Sequence, residues 1–415
     1  MFYKSTRNSS IRVESAAAIA KGISEEGGLF VPESIPALSM DELKSLAGKT
    51  YAQRAAYVFS KYLTDFTEAE LVYCTESAYS TKNFETENIA EIAHLFEGTY
   101  MLELWHGPTC AFKDMALQIL PYFLTTAVKK LHMDKKVVIL VATSGDTGKA
   151  ALEGFHDVSG TRIMVFYPAG GVSPVQEAQM VTQEGSNVRV CAIRGNFDDA
   201  QTGVKNVFAA CKGKDLHGAV LSSANSINIG RLAPQVVYYF RAYADLVQTG
   251  RIRVGEKVHF VVPTGNFGDI LAGWYAKRMG LPVGMLVCAS NQNNVLTDFF
   301  ATGVYDARRA FFRTTSPSMD ILVSSNLERL LYHAAGDAAK VRGWMESLAS
   351  TGRYEVEPAV MERIRAEFAA GCADNAQAAA ELRTQFERAG SLCDPHPAVA
   401  FKAAREYRAR SGGKL

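Results

Sequence analysis

Residues 137–152 read VVILVATSGDTGKAAL, and this stretch decides the fold class. Residues 137–142 form an apolar run with the length of a buried strand, and residues 149–152 have the composition of a helix. The glycine-containing loop 143–148 lies between them. A strand, a glycine loop and a helix in this order present free backbone N–H groups to an anion. These residue types alone leave a structural turn between strand and helix equally open.

Apolar runs of strand length recur along the chain and alternate with helical stretches. Near-continuous apolar strands that alternate with helices predict an α/β fold with parallel sheets. Beyond residue 325 the sequence is rich in alanine and predicts mainly helices. The other predicted strands are 163–167, 188–193, 258–262 and 285–289, and the predicted helices include 173–184, 197–212, 230–246 and 268–279.

A second informative stretch, residues 105–118 (WHGPTCAFKDMALQ), sets Lys113 between a turn and a helix start. Gly107 and Pro108 mark the turn, and Asp114 stands where the helix dipole favours an acidic residue. A lysine at such a boundary, beside Phe112, can be desolvated. A desolvated ammonium loses its proton more readily and becomes an amine that can form a Schiff base. The alternative is a surface lysine on a helix.

A second glycine loop follows the predicted strand 258–262 and reads PTGNFGD over residues 263–269. Gly265 and Gly268 allow a ligand to approach the backbone closely, and Asn266 tolerates unusual backbone dihedrals. The spacing is not that of the dinucleotide fingerprint, which argues against a nicotinamide dehydrogenase. The 143–148 loop likewise lacks the spacing of a nucleotide-binding P-loop. A phosphate monoester held by loop amides fits residues 265–269 better.

The segment 225–231 (NSINIGR) gathers the amides of Asn225 and Asn228 with the guanidinium of Arg231 before an apolar helix. An arginine in polar company suits recognition of a phosphate or a carboxylate. Helix capping by Ser226 or Asn228 with a surface arginine is an equally open interpretation. A lysine nucleophile, a phosphate loop and a carboxylate loop together describe a pyridoxal phosphate enzyme that acts on an amino acid.

Composition narrows the class of protein. The chain has 415 residues, of which 48% are hydrophobic and 21% charged, as in ordinary globular proteins. A formal net charge of +1 disfavours nucleic acid as a main partner. The seven cysteines form no C-x-x-C pair, so no metal site is expected. Their scattered spacing is instead typical of reduced thiols in a cytoplasmic protein. No apolar run approaches the roughly 18 residues that span a bilayer, so no membrane partner is expected.

These motifs resemble those of threonine synthase in its longer form. The resemblance implies a fold type II pyridoxal phosphate enzyme (tryptophan synthase β-like), with two three-layer α/β domains, parallel-rich sheets and an N-terminal extension. The implied division is a mainly helical region 1–95, a large cofactor-phosphate domain 96–120 plus 222–415, and a small domain 121–221. The matching segments cover nearly the whole chain and are 27–32, 106–114, 143–148, 225–228, 265–269, 318–321 and 394–399.

The same resemblance assigns roles to residues. Lys113 is the implied catalytic residue and carries the cofactor as a Schiff base. Family members usually continue past a motif like that at 394–399 into a strand near the pyridine ring. The printed sequence ends at Leu415, so a segment outside it or a neighbouring group is expected to face the pyridine nitrogen. The implied cofactor-binding residues are Lys113, Phe112, Gly265, Asn266, Phe267, Gly268 and Asp269. The implied substrate-binding residues are Thr143, Ser144, Gly145, Asp146 and Thr147 for the carboxylate, and Asn225, Asn228 and Arg231 for the phosphate.

The implied activity is that of a pyridoxal 5'-phosphate-dependent carbon–oxygen lyase, threonine synthase, which converts O-phospho-L-homoserine and water to L-threonine and phosphate. Two alternatives stay open. One is a threonine-synthase-like phospholyase that releases phosphate and 2-oxobutyrate, and the other is a non-catalytic protein that retains the fold. The expected partner is the small-molecule substrate, and the expected state is a cytoplasmic monomer or homodimer.

Overall fold

The computed structural model describes residues 1–96, 98–211 and 213–412, without the side chains of Asp198 and Ala209. Residue 212, the last of the predicted helix 197–212, lies outside the described residues. None of the described helices is long and apolar enough to cross a membrane.

The N-terminal region combines a short antiparallel sheet with four helices. Serine and threonine N-caps start three of these helices, each closing a capping box with the glutamate or glutamine three residues later. The sheet has the strand order β2-β1-β3. The elements are β1 (Phe2–Ser5), β2 (Arg12–Glu14), α1 (Ser15–Lys21), β3 (Phe30–Pro32), α2 (Met40–Ser45), α3 (Tyr51–Tyr62) and α4 (Glu68–Ala78).

A hairpin and two helices then lead into a fully parallel sheet of four strands. The strand order is β8-β7-β6-β9, with α7 and α8 supplying two of its connections. The predicted strands 137–142, 163–167 and 188–193 are all present. The elements are β4 (Glu91–Phe96), β5 (Thr99–Glu103), α5 (Asp114–Leu117), α6 (Leu120–Lys130), β6 (Lys136–Ala142), α7 (Asp146–Phe155), β7 (Thr161–Pro168), α8 (Pro174–Val181), β8 (Val188–Ile193), α9 (Phe197–Cys211) and β9 (Ala219–Ser222).

The remaining chain builds a second parallel sheet, with the order β10-β11-β14. The last of these strands was not predicted, because its sequence FAAGC is too rich in small residues to read as an apolar run. The elements are α10 (Ile229–Gln248), β10 (Val258–Pro263), α11 (Gly268–Arg278), β11 (Val283–Ser290), α12 (Val295–Thr302), β12 (Val304–Asp306), a 3₁₀ turn (Pro317–Met319), α13 (Leu327–Ala335), α14 (Ala338–Thr351), β13 (Arg353–Glu355), α15 (Pro358–Arg365), β14 (Phe368–Cys372), α16 (Asn375–Ala389) and α17 (Pro395–Arg410).

Helix α10 is the central buried element, and it packs against α3, α5 and α11. It therefore connects the N-terminal helices to the turn that carries Lys113 and to the helix that follows strand β10 of the second parallel sheet. The two parallel sheets with helical connections confirm the predicted α/β fold. The domain boundaries at residues 95, 120 and 221 stay predictions.

Candidate active site

A buried carboxylate shapes the turn that carries Lys113. Asp114 accepts hydrogen bonds from the Thr109 backbone N–H at 2.9 Å and from the Thr109 hydroxyl at 2.7 Å. A Cβ on Gly107 would lie 2.6 Å from the Cβ of Asp114, so this close packing requires glycine there. The turn therefore fixes Lys113 directly before the first turn of α5.

The Lys113 ammonium lies against one carboxylate and one hydroxyl. Its Nζ is 3.5 Å from Asp146 Oδ2 and 3.5 Å from Ser318 Oγ, and only 12% of the side chain is exposed. It also lies 4.5 Å from the ring centroid of Phe112. Burial lowers the pKa of Lys113, and the positive charge of Arg231 lowers it further, while Asp146 acts in the opposite direction. The surface-lysine interpretation is therefore wrong, and the geometry favours a nucleophilic amine.

Asp146 links Lys113 to a second buried lysine. Its Oδ1 lies 3.4 Å from Lys149 Nζ and accepts a hydrogen bond from Gln176 Nε2 at 2.9 Å, while its Oδ2 accepts from the Ser318 hydroxyl. Burial opposes ionisation, but the two lysines and these hydrogen bonds hold the pKa of Asp146 well below its usual range. The carboxylate is thus ionised and shared between two ammonium groups.

Thr143 holds the rest of the 143–148 loop. Its hydroxyl oxygen accepts hydrogen bonds from the Gly145 N–H at 2.9 Å and from the Gly148 N–H at 2.8 Å. Gly145 has φ +137°, a conformation that residues with a side chain rarely adopt. Ser144 is exposed and lines the main cavity, and Thr147 is half-buried. Within this loop the free hydroxyl that faces the cavity is therefore Ser144, since Thr143 is engaged internally.

The 265–269 loop is anchored from behind by aromatic side chains. Phe267 adopts a left-handed conformation with φ 65° and buries its ring against Phe300 and Phe368, with centroids 6.2 and 5.7 Å away. Asp269 accepts hydrogen bonds from the hydroxyls of Tyr238 and Tyr239 at 2.5 and 2.8 Å. The side chains of Phe267 and Asp269 are thus held within the protein, and the loop offers its backbone to a ligand.

Gly268 begins α11, and its surroundings would accommodate a Cβ at ordinary contact distances. It has no positive φ, and a Cβ there would lie 3.4 Å from Asn326 Nδ2, 3.7 Å from Gln235 Nε2 and 3.9 Å from Asn326 Cγ. The packing of the described residues therefore does not demand glycine at this position. Gly268 stands at a helix N-terminus beside two side-chain amide nitrogens, and this chemistry fits the phosphate of pyridoxal phosphate.

The 225–231 segment is divided between the cavity and the interior. Asn225 lines the cavity, and its Nδ2 donates to the Ala142 carbonyl at 3.2 Å. Asn228 caps α10: its Oδ1 accepts from the Gly230 N–H at 2.9 Å, and its Nδ2 donates to the carbonyls of Ile19 and Ser223 at 3.1 and 3.0 Å. Its capping role accounts for these polar atoms, so a substrate contact by Asn228 stays a prediction.

Arg231 is buried, with 3% of the residue exposed, so the surface-arginine interpretation is wrong. Its Nη1 donates to the Ala224 carbonyl, and its Nε has no partner among the described residues. Burial lowers the pKa of Arg231 to about 10. The predicted contact between Arg231 and a substrate phosphate stays a prediction.

Several polar residues of the site escaped the sequence analysis. Ser318 was noted only within a matching segment, yet its hydroxyl contacts both Lys113 and Asp146. Its backbone N–H donates to His396 Nε2 at 3.1 Å, and His396 Nδ1 pairs with Asp394. The contacts of Ser318 with Lys113, Asp146 and His396 join segments that lie far apart in the sequence, so no local pattern could reveal them.

A large cavity of about 1970 Å³ opens beside these groups. Lys113 is not among its lining residues. Among the described residues, no group of three or more histidine, cysteine or acidic side chains is placed to hold a metal ion. The residues that line the cavity near the two loops include Ser144, Gln176, Asn225, Asn266, Pro317 and Ser324.

Two family models match the chain. The family described as "Threonine synthase N terminus" matches residues 2–79, and the family described as "Pyridoxal-phosphate dependent enzyme" matches residues 93–414. The threonine synthase of Pseudomonas aeruginosa is 38% identical over 410 residues, which cover 98% of this chain and 85% of that protein. The crystal structure of pyridoxal-phosphate-bound threonine synthase from Brucella melitensis is 39% identical, with a TM-score of 0.90 and coverage of 98% and 85%.

A further group of relatives is longer than this chain. Threonine synthase-like 1 of Homo sapiens is 41% identical over 397 residues, which cover 92% of this chain but 53% of that protein. The chain therefore spans about half the length of these relatives.

Proposed function

The chain belongs to the threonine synthase family of pyridoxal-phosphate-dependent enzymes, and we propose from this premise that it converts O-phospho-L-homoserine and water to L-threonine and phosphate. The observation that carries the proposal is the position of Lys113. Its buried amine lies 3.5 Å from the ionised carboxylate of Asp146, in the loop suited to a substrate carboxylate, and 3.5 Å from the Ser318 hydroxyl. An α-amino acid that bears a phosphate ester needs this combination of groups.

In this proposal Lys113 holds pyridoxal phosphate covalently through Nζ, and the backbone of residues 265–269 receives the cofactor phosphate. When bound, the cofactor supplies an electron sink for the bonding electrons that remain when the substrate Cα loses its proton. Ser144 and Thr147 of the 143–148 loop receive the substrate carboxylate. Asn225 and Arg231 are the proposed contacts of the substrate phosphate.

Lys113 also moves protons in this proposal. When it is not bonded to the cofactor, the Lys113 amine would take the proton at the substrate Cα, because burial favours its neutral form. The same amine would take a proton at Cβ, so that the Cγ–O bond breaks and phosphate leaves with its electron pair. A proton is then returned at Cγ, water adds at Cβ, and the Lys113 amine would return a proton at Cα. Asp146 and the Ser318 hydroxyl orient Nζ for these transfers, since both lie within 3.5 Å of it.

The test is a product assay on the protein loaded with pyridoxal phosphate. O-phospho-L-homoserine should yield phosphate and L-threonine in equal amounts, measured by a molybdate assay and by amino-acid analysis. Lys113→Ala should lower turnover by about 10³-fold or more, because it removes the group that transfers the protons. Cofactor binding without any turnover would support the non-catalytic alternative and overturn the proposal.

The second candidate is a phospholyase, which releases phosphate together with 2-oxobutyrate. The observation that favours it is the similarity to proteins named threonine synthase-like, which at 41% identity exceeds the 38% to the Pseudomonas threonine synthase. Phosphate accompanied by 2-oxobutyrate instead of threonine would decide for this candidate. The expected cytoplasmic location and the expected monomeric or homodimeric state stay predictions.

A further inference from the structure

We propose that the side-chain amide of Asn326 completes the phosphate site, as a hydrogen-bond donor supplied from outside the glycine loop. The inference rests on the proposed function, because it assigns a role toward the phosphate of pyridoxal phosphate. Asn326 directly precedes α13 and was not singled out by its sequence. It is fully buried, and its backbone N–H donates to the Asn266 carbonyl at 3.0 Å, which binds it to the 265–269 loop.

The direction of the Asn326 amide is fixed by the chemistry of its neighbour. Asn326 Oδ1 accepts a hydrogen bond from Arg329 Nη1. An arginine side chain has donors and no acceptor, so the amide oxygen must face Arg329. The amide nitrogen Nδ2 therefore faces the other way, toward Gly268, and it lies 3.4 Å from the position that a Cβ of Gly268 would take.

Arg329 is itself held rigidly and acts as a positioning residue. It is fully buried, its Nε donates to the Phe30 carbonyl at 2.9 Å, and its Nη2 donates to the Ile227 carbonyl at 2.6 Å. These bonds connect strand β3 of the N-terminal sheet with the segment that precedes α10. Asn326 therefore has little freedom to rotate its amide away from the glycine loop.

The Asn326 Nδ2 atom is buried and has no hydrogen-bond partner among the described residues. Burying a hydrogen-bond donor without a partner costs free energy. We therefore expect a bound ligand to supply the acceptor for this amide. The neighbouring Gln235 Nε2 already donates to the Arg231 carbonyl at 2.8 Å. The nearby Asp269 carboxylate is engaged by two tyrosine hydroxyls. A phosphate oxygen above Gly268 is the acceptor that this arrangement fits.

The test compares two ligands that differ only in the phosphate. Dissociation constants of pyridoxal phosphate and of pyridoxal are measured by fluorescence titration for the full chain and for Asn326→Asp. The substitution keeps an oxygen for Arg329 but replaces the donor with a carboxylate that repels phosphate. We expect binding of pyridoxal phosphate to weaken about 10- to 100-fold, with pyridoxal binding unchanged within about 2-fold.

Two further variants keep the test decisive. Asn8→Asp makes the same chemical change at Asn8, whose Oδ1 accepts from the Ser10 N–H and hydroxyl, and it should alter neither constant. Asn326→Ala removes the donor without adding charge and should weaken only pyridoxal phosphate, by a smaller factor. If Asn326→Asp does not fold, Asn326→Ala alone decides.

The outcomes separate the inference from the function on which it rests. Equal weakening of both ligands would show a purely structural role for Asn326, and no weakening of either would show no role; each result overturns the inference alone. A wild-type protein that binds no pyridoxal phosphate would overturn the proposed function as well.

Discussion

The 143–148 loop and the 265–269 loop both connect a parallel strand to a helix, but only the second has an aromatic anchor beside its hydrogen bonds. The 143–148 loop is held by polar groups: the Thr143 hydroxyl accepts from two backbone amides, and Asp146 lies between two lysines. The 265–269 loop is held by the buried ring of Phe267 and by two tyrosine hydroxyls on Asp269. Hydrogen bonds thus hold both loops, and the 265–269 loop is held in addition by the packing of one buried ring.

Because of this difference, we expect the two loops to respond differently when a ligand binds. Polar contacts can exchange when a charged ligand enters, and the charge of Asp146 acts directly on Lys113. An aromatic anchor does not respond to charge, so the 265–269 backbone stays in one shape for a ligand of fixed shape. We therefore expect loss of the Phe267 ring to lower stability most and substitution of Gly268 to weaken phosphate binding. Substitution of Asp146 should change the protonation of Lys113.

The largest expected effect is on stability, from Phe267→Ala. The ring is 1% exposed, and its loss leaves a cavity beside Phe300 and Phe368. The free energy of unfolding should fall by about 3–5 kcal/mol, as measured by urea denaturation. Thr143→Val should cost only about 1–3 kcal/mol, because it leaves two amides without their acceptor. A larger loss in Thr143→Val than in Phe267→Ala would contradict the comparison.

The next prediction compares the same substitution at one glycine of each loop, Gly268 and Gly145. Gly268→Ala should leave stability nearly unchanged, since the new Cβ has room and alanine favours helices. It should weaken pyridoxal phosphate binding about 10- to 100-fold, because the methyl group enters the space above the helix end. Titration with the cofactor and thermal unfolding would measure the two quantities.

Gly145→Ala is the matched variant in the other loop. Its φ of +137° and a Cβ 2.4 Å from the Gln176 side chain make the substitution strained. Stability should therefore fall by about 1–3 kcal/mol. If instead Gly268→Ala destabilised the fold and Gly145→Ala did not, glycine at 268 would serve packing rather than a ligand.

The sequence predicted the parallel strands because each is an apolar run bounded by turn residues, as in residues 137–142. It did not predict β14, whose alanine and glycine residues lack an apolar pattern. The strands β1 and β2 were also missed, because four and three residues are too few to establish an alternation. Strand prediction thus depended on run length and on side-chain size.

The site was predictable as a set of loops but not as a set of contacts. Residue types located both glycine loops and Lys113, yet they could not tell that Phe267 points into the core. Arg231 was expected either at a ligand or at the surface, and it proved to be buried. The contact between Lys113 and Ser318 joins residues 205 positions apart, which depends on tertiary packing and leaves no local signal.

Asp146→Asn tests whether the 143–148 loop controls the protonation of Lys113. The carboxylate raises the pKa of Lys113, so its removal should lower that pKa further. The amine would then be neutral at lower pH, and the pH midpoint for covalent attachment of pyridoxal phosphate should fall by about one unit. The midpoint is read from the absorbance of the bound cofactor. Asp269→Asn should shift it less, because two tyrosine hydroxyls hold that carboxylate.

Lys149→Met should produce a smaller shift in the opposite direction. Its ammonium lies 3.4 Å from Asp146 and lowers the pKa of Lys113 from the far side of that carboxylate. Without this positive charge the pKa of Lys113 should rise, so attachment of the cofactor should need a pH higher by a fraction of a unit. Lys149→Arg keeps the charge and should leave the midpoint near that of the wild type. Shifts of the same sign in Asp146→Asn and Lys149→Met would mean that packing, and not charge, governs Lys113.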